Sequence, residues 1–125
     1  MRHEKYEEAL QQIKEIYFSI GALRCPVLNG ELIYFNQQGF RHLLRKGKYP
    51  RPIPDQFRRF RLFRKYVVKI ISSEQSLTKK IQREVIGRFY TVMRMVGNNI
   101  KISIIIIRNR NGSLCFLSIM DNKQK

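Results

Sequence analysis

The sequence has few acidic residues. Asp and Glu number 9 against 25 Lys and Arg, and the formal net charge is +16. A two-metal nuclease needs several carboxylates to hold its ions, so the composition argues against that class and predicts that any nuclease activity is metal-independent. The surplus positive charge favours an anionic partner. We expect nucleic acid rather than a membrane surface, because the charge comes with many arginines and interleaved aromatics.

Cysteine and histidine are also scarce, with 2 of each. Cys25 and Cys115 lie in apolar runs and are expected to be buried thiols in a reducing cytoplasm. Two cysteines and two histidines without close spacing do not form a metal site, and we expect no cofactor. The longest apolar run, which ends at Ile107, is too short to cross a bilayer. The charged, helical N-terminus lacks the pattern of a signal peptide, so a cytoplasmic protein is expected.

The chain is expected to form one domain, residues 1–125, because its hydrophobic fraction of 43% is typical of globular proteins. Helical spacing of apolar residues predicts three helices. They cover residues 1–21, a segment from Asn36 to about Lys46, and a longer segment from Pro54 to about Ile71. Between the first two helices, the pair Asn29-Gly30 predicts the turn of a short hairpin.

The C-terminal half has the residue pattern of strands. Four strands are predicted, at residues 77–85, 88–96, 100–108 and 113–120, and the tail at 121–125 is expected to fray. Strands joined by short turns form an antiparallel meander. The sequence therefore predicts an α+β fold in which N-terminal helices pack on a curved four-stranded antiparallel sheet.

The segment from Phe35 to Lys69 is rich in cations and holds a single acid, Asp55. It also holds His42, the only histidine besides His3. Near neutral pH a histidine can take or give a proton, and neighbouring arginines would stabilise the charge of a phosphorane. His42 is therefore a candidate general acid/base for RNA cleavage. The alternative, a helix histidine that caps or packs, stays open.

The cations of this segment are candidate phosphate ligands, because the acids that would pair with them are almost absent. The alternative is a solvated helix face. The candidates for nucleic-acid binding are Arg41, Arg45, Lys48, Arg58, Arg61 and Lys65, and Arg51 and Arg59 belong to the same cluster.

Tyr90 and Ser118 lie on predicted strands. Regular alternation places Ser118 on the same face as Phe116 and Met120, so that a hydroxyl lies within an apolar row. Such a hydroxyl could hydrogen-bond a phosphate or orient His42. A structural serine that is hydrogen-bonded within the fold is the alternative.

Several strings, taken in order, resemble the phage-associated nucleases of the barnase–EndoU–colicin–RelE superfamily. They are GELIYFNQQGFRHLLRKGKYPRP, FRRFRLFRKYVVKII, RFYTVMRM and IKISIIIIRNRNGSLCFLSIMD. The resemblance spans about residues 27–120. Members have a histidine on a helix after a short hairpin, downstream arginines, an aromatic in the first core strand and a Phe-Leu-Ser ending on the last. His42, Arg51, Tyr90 and the string ending at Ser118 match these positions.

The resemblance implies helices followed by a four-stranded antiparallel sheet, and metal-independent cleavage of RNA, such as tRNA or mRNA. Such an enzyme is often a toxin held by an antitoxin or immunity protein, here expected to be acidic, or is used in phage–host conflict. His42 would be the general acid/base, Arg51 with Arg45 or Arg61 would bind phosphate, and Tyr90 and Ser118 would complete the catalytic set. One departure is the lack of a second histidine in the body of the fold. The second proton transfer would then fall to a Lys, Tyr or Arg, or be absent.

Three functions stay open at this point. The first is a metal-independent endoribonuclease that cleaves RNA by attack of a 2′-hydroxyl. The second is a non-catalytic basic module that binds RNA or DNA. The third is a protein whose basic surface pairs with an acidic partner.

Overall fold

Three α-helices pack against one curled six-stranded sheet in the computed structural model, which describes residues 2–82, 88–97 and 99–123. The helices are α1 (Arg2–Ile20), α2 (Gln37–Leu44) and α3 (Ile53–Ile71). The sheet strands are β1 (Ala22–Cys25), β2 (Glu31–Tyr34), β5 (Leu77–Gln82), β6 (Arg88–Val96), β7 (Ile100–Arg108) and β8 (Leu114–Lys123). A separate small ribbon pairs β3 (Arg45–Lys46) with β4 (Tyr49–Pro50).

The predicted meander is present, since β5, β6, β7 and β8 pair antiparallel in sequence order. The prediction of a four-stranded, purely antiparallel sheet is wrong. The hairpin of β1 and β2 joins the same sheet, and β2 pairs with β8 in parallel through Ile33 and Tyr34. The α+β class holds, but the helices do not all precede the sheet because two strands lie between α1 and α2.

Three boundaries also differ from the prediction. α2 ends at Leu44, and Arg45 and Lys46, which were predicted as its last residues, form β3 instead. β8 continues to Lys123, which pairs with Ile100, so the stretch expected to fray from Asp121 is in part a strand. β5 ends at Gln82, and residues 83–85 of the predicted strand lie outside the described residues. At the hairpin, a 3₁₀ turn from Pro26 to Leu28 precedes Asn29, so the connection is longer than a two-residue turn.

Local chemistry explains where the two later helices begin. The Asn36 side chain caps α2 by accepting a hydrogen bond from the Gly39 backbone N–H at 3.2 Å. α3 has proline in its first turn, where an N–H has no helical partner, and Asp55 near its positive end. The core forms where these helices meet the sheet. Its largest fully buried side chains include Tyr17, Phe63 and Phe116.

No helix of the described residues is both long and apolar enough to cross a membrane.

Candidate functional site

The site forms along the outer edge of β8, where the neighbouring strand stops. β2 pairs with β8 only at Leu114 and Cys115. Beyond this point α2 packs on β8. A side chain on Gly39 would collide with the Phe116 carbonyl oxygen and the Tyr17 hydroxyl, so only glycine allows this close approach. This approach places α2, which carries His42 one turn after Gly39, at the edge of the sheet.

A bulge in β8 turns Ser118 towards this edge. Ile106 pairs with Phe116, but Ile105 pairs with Ser118, so Leu117 is an extra residue in the ladder. Because Ile105 and Ile106 point to opposite faces, Ser118 lies on the face opposite Phe116. The prediction that Ser118 shares a face with Phe116 is therefore wrong, since regular alternation cannot anticipate an inserted residue.

Arg59 reaches from α3 to the bulged edge. Its guanidinium donates hydrogen bonds to the Ile119 carbonyl oxygen at 2.7 Å and to the Ser118 hydroxyl at 3.2 Å. The residue is only 9% exposed. Its Nε is buried and donates no hydrogen bond to the described residues, although Asp55 Oδ2 lies 3.5 Å away. Arg59 thus bonds one edge carbonyl and one edge hydroxyl, and its buried Nε faces the Asp55 carboxylate in an ion pair.

Arg51 is buried beside Arg59 and is held by the backbone of α2. Its Nε donates to the His42 carbonyl oxygen at 2.9 Å, and its backbone N–H donates to the Leu44 carbonyl oxygen at 2.8 Å. Its own carbonyl oxygen accepts from the Gln56 side chain at 2.8 Å. These bonds fix the guanidinium in place before any ligand arrives.

Asp55 is the anion that balances this group of arginines. Its carboxylate lies 3.4 Å from Arg51, 3.5 Å from Arg59 and 3.1 Å from Arg58. Burial alone would raise the pKa of Asp55, but the charges of the three arginines outweigh burial and hold that pKa below its ordinary value. Asp121 also lies 3.7 Å from Arg58, but two carboxylates do not neutralise three guanidiniums, so the cluster keeps a net positive charge.

His42 is half-buried and faces this positive cluster. Burial, and then the charges of Arg51 and Arg59, lower the pKa of its imidazole below the ordinary histidine value. The imidazole is therefore neutral at neutral pH, which is the form of a base that can accept a proton.

These groups line one cavity of about 380 Å³, here called the histidine cavity. Its lining residues are His42, Lys46, Arg51, Arg59, Phe89, Ile105, Leu117, Ser118 and Met120. The helix side supplies the imidazole and three cations, and the sheet side supplies apolar groups and one hydroxyl. An anion held at the cations would lie next to a neutral base.

A second cavity of about 560 Å³ adjoins the first and shares Lys46, Arg51 and Arg59 with it. Its other lining residues are Tyr49, Pro50, Pro52, Asp55 and Arg58. We call it the ribbon cavity, because the β3–β4 ribbon forms one wall. The shared cations connect the two cavities.

The structure brings together three of the four predicted catalytic residues and leaves Tyr90 apart. His42, Arg51 and Ser118 line the histidine cavity, whereas Tyr90 does not. Tyr90 alternates with Phe89 and lies on the other face of β6, where it packs against the core. The Arg108 guanidinium lies 5.7 Å from the centre of its ring. Neighbouring residues of a strand point to opposite faces, so Tyr90 cannot line the cavity that Phe89 lines.

The predicted nucleic-acid ligands are exposed and lie outside the histidine cavity. They are Arg41, Arg45, Lys48, Arg58, Arg61 and Lys65. Of these, Arg58 lines the ribbon cavity. Arg61, Lys65 and Lys69, here called the α3 stripe, are exposed along α3 and pair with no acid among the described residues.

Arg59 was predicted only as one member of the cationic cluster, and its central position in the site was not predicted. The presence of Lys46 and Asp55 at the two cavities was not predicted either. One signal was present in the sequence. Arg59 falls between Gln56 and Phe63 on the apolar side of α3, at helical spacing from both. A charged side chain on a buried face is costly unless it is paired or hydrogen-bonded, so its presence there indicates a specific partner. Lys46 follows α2 and carried no comparable signal.

No family model, no curated protein and no solved structure matches this chain. Among the described residues, no three His, Cys, Asp or Glu side chains are grouped so as to hold a metal ion. The chemistry of the histidine cavity is therefore the basis for any functional conclusion.

Proposed function

We propose that this protein is a metal-independent endoribonuclease whose histidine cavity cleaves RNA by attack of a 2′-hydroxyl. One observation carries the proposal: the His42 imidazole, whose pKa is lowered by burial and by the neighbouring arginines, shares a cavity with two buried arginines and a lysine. Cleavage of this kind needs a base for the hydroxyl proton and cations for the charge on the phosphate. Both are present within one cavity.

In the proposed reaction His42 accepts the proton of the ribose 2′-hydroxyl. The 2′-oxygen then bonds to phosphorus, and the bond between phosphorus and the 5′-oxygen breaks. The leaving oxygen takes a proton, for which Lys46 is the candidate donor because it is the amine in the cavity lining. The products are a 2′,3′-cyclic phosphate and a 5′-hydroxyl end. This assignment fills the place of the absent second histidine.

Arg51 and Arg59 would stabilise the charge that develops on the phosphate oxygens. Their positions are set by hydrogen bonds to backbone oxygens of His42 and Ile119, so little reorganisation is needed during the reaction. Ser118 would act indirectly, since its hydroxyl accepts a hydrogen bond from Arg59.

The exposed cations would draw the polyanion to the cavity without contacting the reacting atoms. Long-range attraction of this kind raises the rate of encounter and weakens with salt. A toxin-like role, association with a phage or mobile element, and an acidic antitoxin or immunity partner belong to the same proposal. An acidic protein that covered these cations would block access to RNA.

The decisive test is cleavage of RNA in the presence of EDTA. We expect cleavage with 2′,3′-cyclic phosphate ends, and a loss of about 10²–10⁴-fold in rate for His42→Ala. His3→Ala, which changes the other histidine of the chain, is the matched control, and circular dichroism checks the fold of both variants. Full activity of a folded His42→Ala protein would exclude His42 as the base.

The pH profile gives a second readout of the same role. Because the pKa of His42 is lowered, its basic form persists below the ordinary histidine range. Cleavage should therefore fall on the acid side only below about pH 6.5, the ordinary pKa of histidine. An acid limb above that pH would contradict the assignment.

A non-catalytic RNA- or DNA-binding module is the second candidate. The presence of a single imidazole among the lining residues favours it, because a cleavage site with a histidine pair has a second imidazole for the other proton transfer. It predicts intact RNA after long incubation, with binding that weakens steeply as salt is raised.

A further inference from the structure

The side chain of Tyr49 is unusually exposed for an aromatic residue next to a cavity. It is 75% exposed, more than the other large apolar or aromatic residues among the described part of the chain. It follows Gly47 and Lys48 at the tip of the β3–β4 ribbon and lines the ribbon cavity together with Arg51, Arg58 and Arg59. An aromatic ring is thus displayed to solvent within reach of cations.

The ribbon that carries Tyr49 is fixed at both ends. Lys46 pairs with Tyr49 and Arg45 with Pro50, and the Arg45 guanidinium donates a hydrogen bond to the Lys48 carbonyl oxygen. Gly47 takes the positive φ of 62° that the tight turn requires. Arg51, the next residue after the ribbon, is bonded to α2 through its backbone and its side chain. The ring is exposed but its backbone is held.

The ribbon cavity and the histidine cavity meet at Lys46, Arg51 and Arg59. A phosphate at these cations therefore has the imidazole on one side and the ribbon with Tyr49 on the other. In a nucleic acid, the base of a nucleotide lies beside its phosphate. The arrangement is that of a phosphate site with an aromatic ring for an adjacent base.

We propose that Tyr49 and the ribbon cavity form a base-stacking subsite, which makes single-stranded nucleic acid the ligand of this surface. The proposal rests on the proposed function for the position of the phosphate. Every base has a π-face, so stacking on tyrosine requires no particular sequence. In a duplex the base faces are covered by their neighbours, so the ring can stack only on an unpaired base.

The test measures binding in a His42→Ala background, so that substrate is not consumed. The probes are a fluorescently labelled single-stranded oligoribonucleotide and the duplex of the same sequence, compared by anisotropy. We expect Tyr49→Ala to weaken single-strand binding about tenfold, as for loss of one stacked base. Tyr49→Phe keeps the ring and should bind as the parent does.

Tyr34→Ala is the matched control, because Tyr34 is also exposed, at 44%, but lies on β2 and lines neither cavity. It should leave binding to both probes unchanged. Tyr49→Ala should leave the duplex affinity unchanged, and should also leave unchanged the slope of log affinity against log salt, since no charge is removed. Equal losses for duplex and single strand, or no loss with either, would overturn the stacking subsite.

The two proposals fail separately in this design. If the parent protein, which keeps His42, leaves RNA intact, the ribonuclease is refuted. The subsite is retained in that case if single strands are still preferred and the preference depends on Tyr49. Cleavage that depends on His42, together with Tyr49→Ala binding that matches the parent, would refute the subsite and retain the ribonuclease.

Discussion

The arginines of the histidine cavity and the cations of the α3 stripe differ in how the fold holds a positive charge. Arg51 and Arg59 are each 9% exposed, and each donates hydrogen bonds to backbone oxygens. Arg61, Lys65 and Lys69 are exposed on α3. The buried pair is fixed in position, whereas the stripe is solvated and supplies charge.

The difference follows from helix geometry. Arg59 and Arg61 are two residues apart, so they point in nearly opposite directions from α3. Arg59 is directed to the edge of β8, and Arg61 is directed to solvent. A fixed cation can stabilise charge at one atom, while a solvated cation attracts a polyanion at long range and is screened by salt.

The largest expected effect is the loss of Arg59. Arg59→Gln should lower kcat for RNA cleavage about 10²–10³-fold, the range for removal of one fixed charge-stabilising donor. Arg59→Lys keeps the charge but not the planar fork, and we expect it to recover only part of this loss. The measurement is single-turnover cleavage at saturating enzyme.

Arg61→Gln is the matched comparison on the same helix. It should lower kcat/KM by only about twofold to threefold at physiological salt, through weaker attraction. Similar losses for Arg59→Gln and Arg61→Gln would remove the distinction between fixed and solvated cations.

A smaller effect is expected from Asp55→Asn, which removes the counter-charge of the buried pair. Arg51 and Arg59 would then repel each other without compensation. The free energy of unfolding, measured by urea denaturation, should fall by about 1–2 kcal/mol. The lowered pKa of Asp55 means that its contribution is complete above the ordinary Asp pKa of about 4 and is lost as pH falls through the lowered value. The gap between parent and variant should therefore narrow on acidification. A gap that stays constant down to about pH 3 would show that the carboxylate charge is not responsible.

The smallest effect is expected from Lys65→Gln in the α3 stripe. Affinity for RNA at low salt should fall a few-fold, and the slope of log affinity against log salt should become less steep by about 1. Titration of labelled RNA at several salt concentrations measures both. An unchanged slope would mean that the stripe does not contact phosphate.

Much of the fold was predictable because its elements have strong local patterns. The apolar spacing of α3, the Asn36 cap and the meander from β6 to β8 all follow from short-range rules. The parallel pairing of β2 with β8 was not predictable. It depends on two residues of a short strand that meet a partner some eighty positions later, and no local pattern encodes such a partner.

The segment that forms the site was predictable from the sequence, but the arrangement of its side chains was not. His42 was singled out because it is a histidine among cations with few acids, whereas Arg51 was one of several candidate phosphate ligands until the resemblance assigned it to the catalytic set. Tyr90 was placed in the site by resemblance, and the structure puts it on the other face of β6. The hydrogen bond from Arg59 to the Ile119 carbonyl oxygen depends on the free edge of β8, which is left open because β2 is short.

The bulge at Leu117 determines how β8 can change in length. The pairs of the β7–β8 ladder are regular before this residue and regular after it, and the single shift lies between them. Loss of Leu117 itself would make the ladder regular and leave Ser118 and Ile119 on their present faces. Gain or loss of one residue in the stretch from Ser118 to Asp121 would exchange the faces of the strand beyond that point. This position is therefore where β8 can lose a residue with the least disturbance of the core, although the bend that brings Leu117 and Ser118 to one cavity would go with it.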